Sequence, residues 1–557
     1  YETIESSTTT PTNSASAISW SAIGSDTNGA PYFLLICSTN ASPTANAAAG
    51  LAFLGTEPPE CGGGIQWGVS ASTTSGAVAT VSTTTTEVAP FAESNIWYAW
   101  VCDDDPTNPR CNNIPVQGYS ATNSSPFNVN FRPVFTSIAN DGPADPGENV
   151  VFTSVSSDPD VVDAPDEIYL VVCETNTDYD TNLNTCPDDF IASTTISFLA
   201  NAAATYTLPA IIRDNTYASY TYIVDEHGHE ASANPRTSNF VVNNVAPTVI
   251  GGDIDLNGGL DLILTNDGAT TSGYTLDFTI RDANSCLTAA STSEITNYTA
   301  VVFRSSVGTT SCNGTAGSYD PNDCYPSGVG QSVWDLDCSA SACLSPLSDS
   351  RDYTCTFDLW FLADPTDNGV NTPSSFEIDH WSAGIAGSDD DFATSTMATT
   401  TMVTVDLVSF SALDLLTGEI PYGALEPGDD TGTLSTSTVI RNTGNTGLDQ
   451  EVRGESMCGT YTVSTECPVS ASSTIPEFEQ QFASTSVAYD GPLATALSSS
   501  TPQEVELDIL KTTSTSSPQQ GTTYWGIAVP ITITLAGSYE GLNTLTARTA
   551  EPADWTP

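Results

Sequence analysis

Apolar and polar residues alternate in short runs along this chain. In residues 18–26, ISWSAIGSD, Ile18, Trp20 and Ala22 are separated by Ser19 and Ser21. Residues 150–158, VVFTSVSSD, repeat that rhythm. Successive side chains of a strand point to opposite faces, so a period of two marks a strand with one buried face. The runs are rich in β-branched and aromatic residues, and clusters of Gly, Asn, Asp and Pro separate them. No sustained 3.6-residue apolar period is found. The pattern predicts an all-β chain of antiparallel, immunoglobulin-like β-sandwiches.

The runs also repeat in order. YFLLICSTN (32–40) matches IYLVVCETN (168–176), placing Cys37 on Cys173, and a second cysteine follows in each copy, Cys61 and Cys186. WYAWVCD (97–103) matches YTYIVD (220–225). FNVNFRPVF (127–135) and FVVNNVAPTV (240–249) close the copies with a short strand and a proline linker. Residues 1–132, with a polar N-terminal arm, and 133–247 read as two copies of one domain. A cysteine-rich region, 248–406, follows, with strand-like runs YTLDFTI (274–280), YTAVVF (298–303) and CTFDLWFLA (355–363). Residues 407–557 form a last β-sandwich region. At about 100–200 residues per domain, 557 residues fit this count.

The 14 cysteines are even in number and spaced like loop staples, without the C-x2-C knuckles of zinc sites. They predict disulfides and an oxidising compartment. The repeat predicts Cys37–Cys61 and Cys173–Cys186, and close spacing predicts Cys102–Cys111 and Cys458–Cys467. For Cys286, Cys312, Cys324, Cys338, Cys343 and Cys355 the order stays open; Cys338–Cys343 is the most local choice.

Charge narrows the partners. Acids outnumber bases 67 to 11, the net charge is −56, and Lys511 is the single lysine. Such a chain cannot neutralise phosphates, which excludes electrostatic binding to nucleic acid or an anionic membrane. With 39% apolar residues it builds cores and is no disordered acidic tail. No apolar run reaches the roughly 18 residues of a membrane span. The chain starts at Tyr1, as chains do after loss of an export signal, and export is expected.

The stretches F-x-V-N-F-R-P-V-F, D-P-G-E-N-V-V-F-T-S-V-S-S-D (145–158), V-V-N-N-V-A-P-T-V, Y-D-P-N-D-C-Y-P-S-G-V (319–329) and L-W-F-L-A-D-P-T-D (359–367) carry a resemblance. Over most of residues 18–410 the chain resembles secreted, multi-domain Ig-like surface proteins of ultra-small bacteria of the candidate phyla radiation (Patescibacteria). The resemblance implies an exported, envelope-associated β-protein of a surface layer or filament. It brings no catalytic residues with it.

Candidate chemistry is sparse. There is no P-loop and no G-x-S-x-G elbow. The three histidines are His227, His229 and His380. In DEHGHE (225–230), His227 and His229 would share a face of a strand and could hold a metal, or lie in a solvated turn. A non-enzymatic chain is expected. Acid clusters suit calcium, which takes six to eight oxygens. The candidate ligands are Asp158, Asp160, Asp163, Asp166 and Glu167, with lesser clusters at Asp103–Asp105, Asp389–Asp391 and Asp429/Asp430. The run GDIDLNGGLD (252–261) opens like an EF-hand loop, with Asp253, Asp255 and Asp261 as further candidates. Its twelfth position is Leu264, which cannot ligate. Asn257-Gly258 signals a turn, and flanking alternation predicts a β-hairpin. Glycosylation sequons occur at Asn40, Asn123, Asn297 and Asn313.

Two function classes are open. One is an extracellular structural subunit that self-assembles into a surface layer or filament, a homo-oligomer or polymer. The other is an adhesin that binds a host cell or glycan through exposed aromatics such as Trp97, Trp100, Trp334, Trp360 or Trp381. Most of these lie in strand-like runs, where core packing is the expected role.

Overall fold

The computed structural model describes residues 11–45, 57–118, 124–162, 165–176, 179–180, 186, 190–194, 198–288, 290–312, 320–327, 336–368, 374–400, 404–470, 472–551, 553 and 555, together with the strand Ile4–Glu5. The chain divides into two compact units, Tyr1–Asn243 and Asn244–Pro557. Both are built from β-sheets. Among the described residues the one α-helical piece is Gly308–Ser311.

Unit one contains two sandwiches that follow the sequence repeat. In the first, Ala17–Ile23 pairs antiparallel with Val78–Thr84. Facing it, Tyr32–Cys37 lies between Gln66–Val69 and Tyr98–Asp103. In the second, Asn149–Ser157 lies between Val134–Asn140 and Ala203–Thr207, and Ile168–Cys173 between Phe190–Ser193 and Tyr220–Asp225. The repeat extends to packing. Trp20 is fully buried against Phe127, with ring centroids 5.4 Å apart. Phe152, its counterpart, packs on Phe240 at 6.0 Å. Both pairs are edge-on, the arrangement that the ring quadrupole favours.

Unit two also contains two sandwiches. In the third, the long strand Thr270–Arg281 pairs with Ser350–Trp360, and Ile295–Arg304 with Trp381–Asp389. Leu276, Phe278, Val302, Phe357 and Trp381 lie in one core between these sheets. In the fourth, Thr436–Asn442 pairs with Gln520–Ile527, and Leu448–Gly454 lies between Gln503–Ile509 and Asn543–Thr549. Trp525, Phe482 and Val452 share its core.

All fourteen cysteines are paired. The bonds Cys37–Cys61, Cys102–Cys111, Cys173–Cys186 and Cys458–Cys467 are present. The third sandwich holds Cys286–Cys343, Cys312–Cys324 and Cys338–Cys355. The local choice Cys338–Cys343 is therefore corrected. Cys338 sits in the strand Asp337–Ala340, directly opposite Cys355 in register, while Cys343 lies beyond the end of that strand. Strand pairing, not sequence distance, selects the partner.

The expected hairpin at GDIDLNGGLD is also corrected. The turn forms, with Asn257 and Gly258 at φ 54° and 63°. Its two arms do not pair. Asp255–Leu256 pairs with Leu276 and Asp277, and Leu262 bridges to Leu407. Leu256, Leu262 and Leu264 are all buried in the third core. Each arm is held by a different long-range partner that buries its leucines.

Candidate functional site

The main concentration of buried acids lies in unit one, where the chain leaves the first sandwich and enters the second. The strand Asn149–Ser157 runs straight into Asp158-Pro-Asp160. Ile168 is in register with Asp225, so the end of Tyr220–Asp225 comes to the same edge as Asp166, just upstream of Ile168. Asn130 ends the strand Phe127–Asn130, and Phe131 follows it.

Hydrogen bonds lock these pieces together. Phe131 N–H donates to Asp160 Oδ2 at 2.6 Å, and Asp160 N–H donates to Asp158 Oδ1 at 2.8 Å. Asn130 Nδ2 donates to Asp225 Oδ2 at 2.8 Å. Asp225 Oδ1 accepts the N–H groups of His227 and His229 at 2.9 and 2.7 Å. Glu93, from the first sandwich, accepts the N–H groups of Val161 and Val162 at 2.9 and 2.5 Å. The turn 225–229 is tucked in at its two ends, where Asp225 is fully buried and His229 nearly so, while Glu226 between them stays exposed. His227 does not act with His229. Its Nε2 faces Asp166 Oδ2 at 3.4 Å and Glu226 Oε1 at 3.6 Å.

Asp158, Asp160 and Asp166 each place one carboxylate oxygen within 4.8 Å of the others. Asp160 is only 2% exposed, yet its Oδ1 has no hydrogen-bond partner. Asp158 Oδ2 and Asn130 Oδ1 are likewise buried and unpartnered. Among the described residues no Lys or Arg pairs with Asp158, Asp160, Asp166 or Asp225. Burial, with repulsion from the neighbouring acids, pushes the Asp158 and Asp160 carboxyls up to about 7. Burial raises Asp166 and Asp225 as well. Such a group of acids needs protons or a cation to offset its repulsion.

Of the acids singled out in the sequence, then, Asp158, Asp160 and Asp166 converge. Glu167 is not among the converging oxygens, and Asp163 lies outside the described residues. Asp253, Asp255 and Asp261 do not converge, which corrects their candidacy. Asp253 is held by Arg281 at 3.2 Å, Asp255 is exposed on its strand, and Asp261 Oδ1 accepts the N–H of Asp406 at 3.2 Å. The sequence reading missed Asn130, Asp225 and Glu93. The signal for two of them was present, since V-N closes both repeat copies and an Asp ends both matched strands.

The entry latch recurs in unit two. Val245 N–H donates to Asn284 Oδ1 at 2.7 Å, and Asn244 Nδ2 to Asp389 Oδ2 at 3.1 Å. Phe410 N–H donates to Asn445 Oδ1 at 2.7 Å. Near the last of these, Lys511 is buried, with Nζ 3.1 Å from Asp364 Oδ1 and 2.9 Å from Asn322 Oδ1. The candidate aromatics are mostly core: Trp97, Trp100 and Trp381 are buried, and Trp360 is half-buried. Trp334 lies outside the described residues. Asn40 and Asn297 are exposed, whereas Asn123 and Asn313 lie outside the described residues.

No family model matches this chain, and no curated protein matches it. Solved structures with similar strand arrangements include the fibronectin(III)-like modules of Clostridium thermocellum CbhA (14% identity, 43% of this chain and 93% of that one, TM-score 0.20). The ectodomain of mouse nectin-like molecule 4 matches at 8% identity over 72% of this chain and 97% of that one, with TM-score 0.25. Three N-terminal domains of the bacteriophage RB49 Highly Immunogenic Outer Capsid protein match at 9% over 73% and 98%, with TM-score 0.20. At TM-scores this low the whole-chain likenesses carry no argument. The tandem Ig-like β-sandwich fold rests on the strand pairing and disulfides described above.

Proposed function

We propose that this chain is an extracellular structural protein that assembles with copies of itself into a layer or filament on a bacterial cell surface. The observation that carries this reading is the recurring latch. A backbone N–H of Phe131, Val245 or Phe410 is held by the side chain of Asp160, Asn284 or Asn445 in the sandwich that the chain is entering. Each latch restrains the linker backbone at the point where it enters its sandwich. Seven disulfides suit an oxidising exterior. Val78–Thr84, Ala203–Thr207 and Asn543–Thr549 end their sheets among the described residues, and such edges offer backbone for pairing with another copy. Negative-stain microscopy of the purified chain, concentrated with and without calcium, tests this. Ordered sheets or fibres are expected; dispersed monomers under every condition would overturn it.

An adhesin is the second reading. A groove of about 590 Å³ in the fourth sandwich favours it, lined by Tyr422, Leu425, Met457, Ile533 and Tyr539 among others. A glycan-array hit that is lost in Tyr422→Ala, with no assemblies by microscopy, would select it.

A further inference from the structure

We propose that Asp158, Asp160 and Asp166, with Asn130 and Asp225 around them, form a binding site for one calcium ion. The site stands on its own geometry, whatever the chain assembles into. Three carboxylate oxygens converge within 4.8 Å. That spacing brings like charges together with no Lys or Arg paired to them, and a divalent cation reverses the sign of the interaction. The independent pointer is the orphaned Asp160 Oδ1. A buried acceptor without a partner costs about 1–3 kcal/mol, more when charged, so native structures seldom keep one. The other oxygen of Asp160 is held by Phe131 N–H. Asp160 Oδ1 is thus left buried and without a protein partner in a residue whose carboxylate converges with those of Asp158 and Asp166.

The donor chemistry selects the metal. Carboxylate and amide oxygens are hard donors that suit calcium, whose flexible shell of six to eight oxygens is completed by water. The competing set is Asp166, Glu226 and His227, which shares Asp166 and adds an imidazole nitrogen. That set suits zinc better. The two readings use Asp166 in common but differ at Asp160 and His227.

Calcium would act on the junction. Asp160 holds the linker through Phe131, and Asp225 holds it through Asn130. An ion drawing Asp158, Asp160 and Asp166 together would tighten the loop onto that linker and stiffen the entry to the second sandwich.

The test is calorimetric titration of the whole chain, stripped with EDTA, using calcium chloride alone and then zinc chloride, paired with thermal melting. A calcium dissociation constant on the order of 10⁻⁴–10⁻³ M or tighter is expected, with a rise in melting temperature. Asp160→Asn keeps the acceptor for Phe131 N–H, and it should weaken calcium binding by about tenfold or more, as should Asp158→Asn. His227→Ala removes a neighbour of Asp166 but no proposed oxygen ligand, so it should retain calcium binding that Asp160→Asn and Asp158→Asn weaken. Absence of calcium heat and of any melting shift on the unmodified chain would overturn the proposal without recourse to a variant. Calcium binding that is the same in Asp160→Asn and Asp158→Asn would also overturn it, placing the ion elsewhere. Zinc binding without calcium binding, abolished by His227→Ala, would replace it with the imidazole set.

Discussion

Lys511→Met is the sharpest probe of how unit two is held together. The single lysine of the chain is only 2% exposed and points its ammonium at three oxygens: Asp364 Oδ1, Asn322 Oδ1 and the Leu362 carbonyl. Burial works against both charges; attraction and the three acceptors hold them. Methionine fills nearly the same volume, so the loss is electrostatic and not a cavity. Removing one partner of a buried pair costs about 3–5 kcal/mol when the other is left bare. Asp364 is not left bare, because Arg304 Nε stays 3.2 Å from its other oxygen. Asn322 Oδ1 and the Leu362 carbonyl do lose a donor, at about 1–3 kcal/mol for orphaned acceptors. The expected loss is therefore about 3 kcal/mol for unit two. Urea unfolding followed by tryptophan fluorescence reads it, with hydrogen exchange of the strands Thr436–Asn442 and Gln503–Ile509 to localise it to unit two. Asp364→Asn in the same background should cost less than it does alone, since the two groups share one interaction. A loss below about 1 kcal/mol, or additive effects in the double variant, would refute a charged, mutually dependent pair.

Peptide mapping without reduction should recover Cys338–Cys355 and Cys286–Cys343; a Cys338–Cys343 peptide would contradict the register of the third sandwich. The sequence separations of 17 and 57 predict that removing these bonds costs about 3 and about 4 kcal/mol respectively, read as urea midpoints. Trp20→Ala should cost about 3–5 kcal/mol in the first sandwich, and Phe152→Ala a similar amount in the second, because each empties the core side of a matched aromatic pair. Equal melting curves for wild type and either variant would deny that packing. Gly444→Ala would bring a Cβ within 2.2 Å of the Phe410 carbonyl oxygen and 2.7 Å of Ala412 N, both backbone atoms beside the latch. It should lower stability by about 1–3 kcal/mol, and an unchanged urea midpoint would mean that this segment is not packed as described.

The acid site was half legible in the sequence. Asp158, Asp160 and Asp166 sit within one loop, so their nearness follows from chain connectivity alone. Asn130, Asp225 and Glu93 arrive from other strands and loops. Register places Asp225 opposite Ile168, and the linker brings Asn130 beside Asp225. A cluster read from sequence therefore gathers neighbours such as Glu167 that are not among the converging carboxylates, and misses the residues that seat the others. The acids of GDIDLNGGLD show the same limit: similar in sequence to a metal loop, they are dispersed onto Arg281, solvent and a backbone N–H.

Strand identity, the two-fold repeat, the buried faces and four of the seven disulfides were determined locally, because a period of two and short cysteine-closed loops depend on residues near one another along the chain. The tertiary structure decided everything that depends on which strand lies beside which. It set Cys338 on Cys355, sent the two arms of the Asn257-Gly258 turn to separate partners and enclosed the lone lysine with Asp364. It also collected an uncompensated group of carboxylates at one sandwich edge. The physical reason is that pairing between distant strands is chosen by the burial of whole faces, a quantity that no short window of sequence contains.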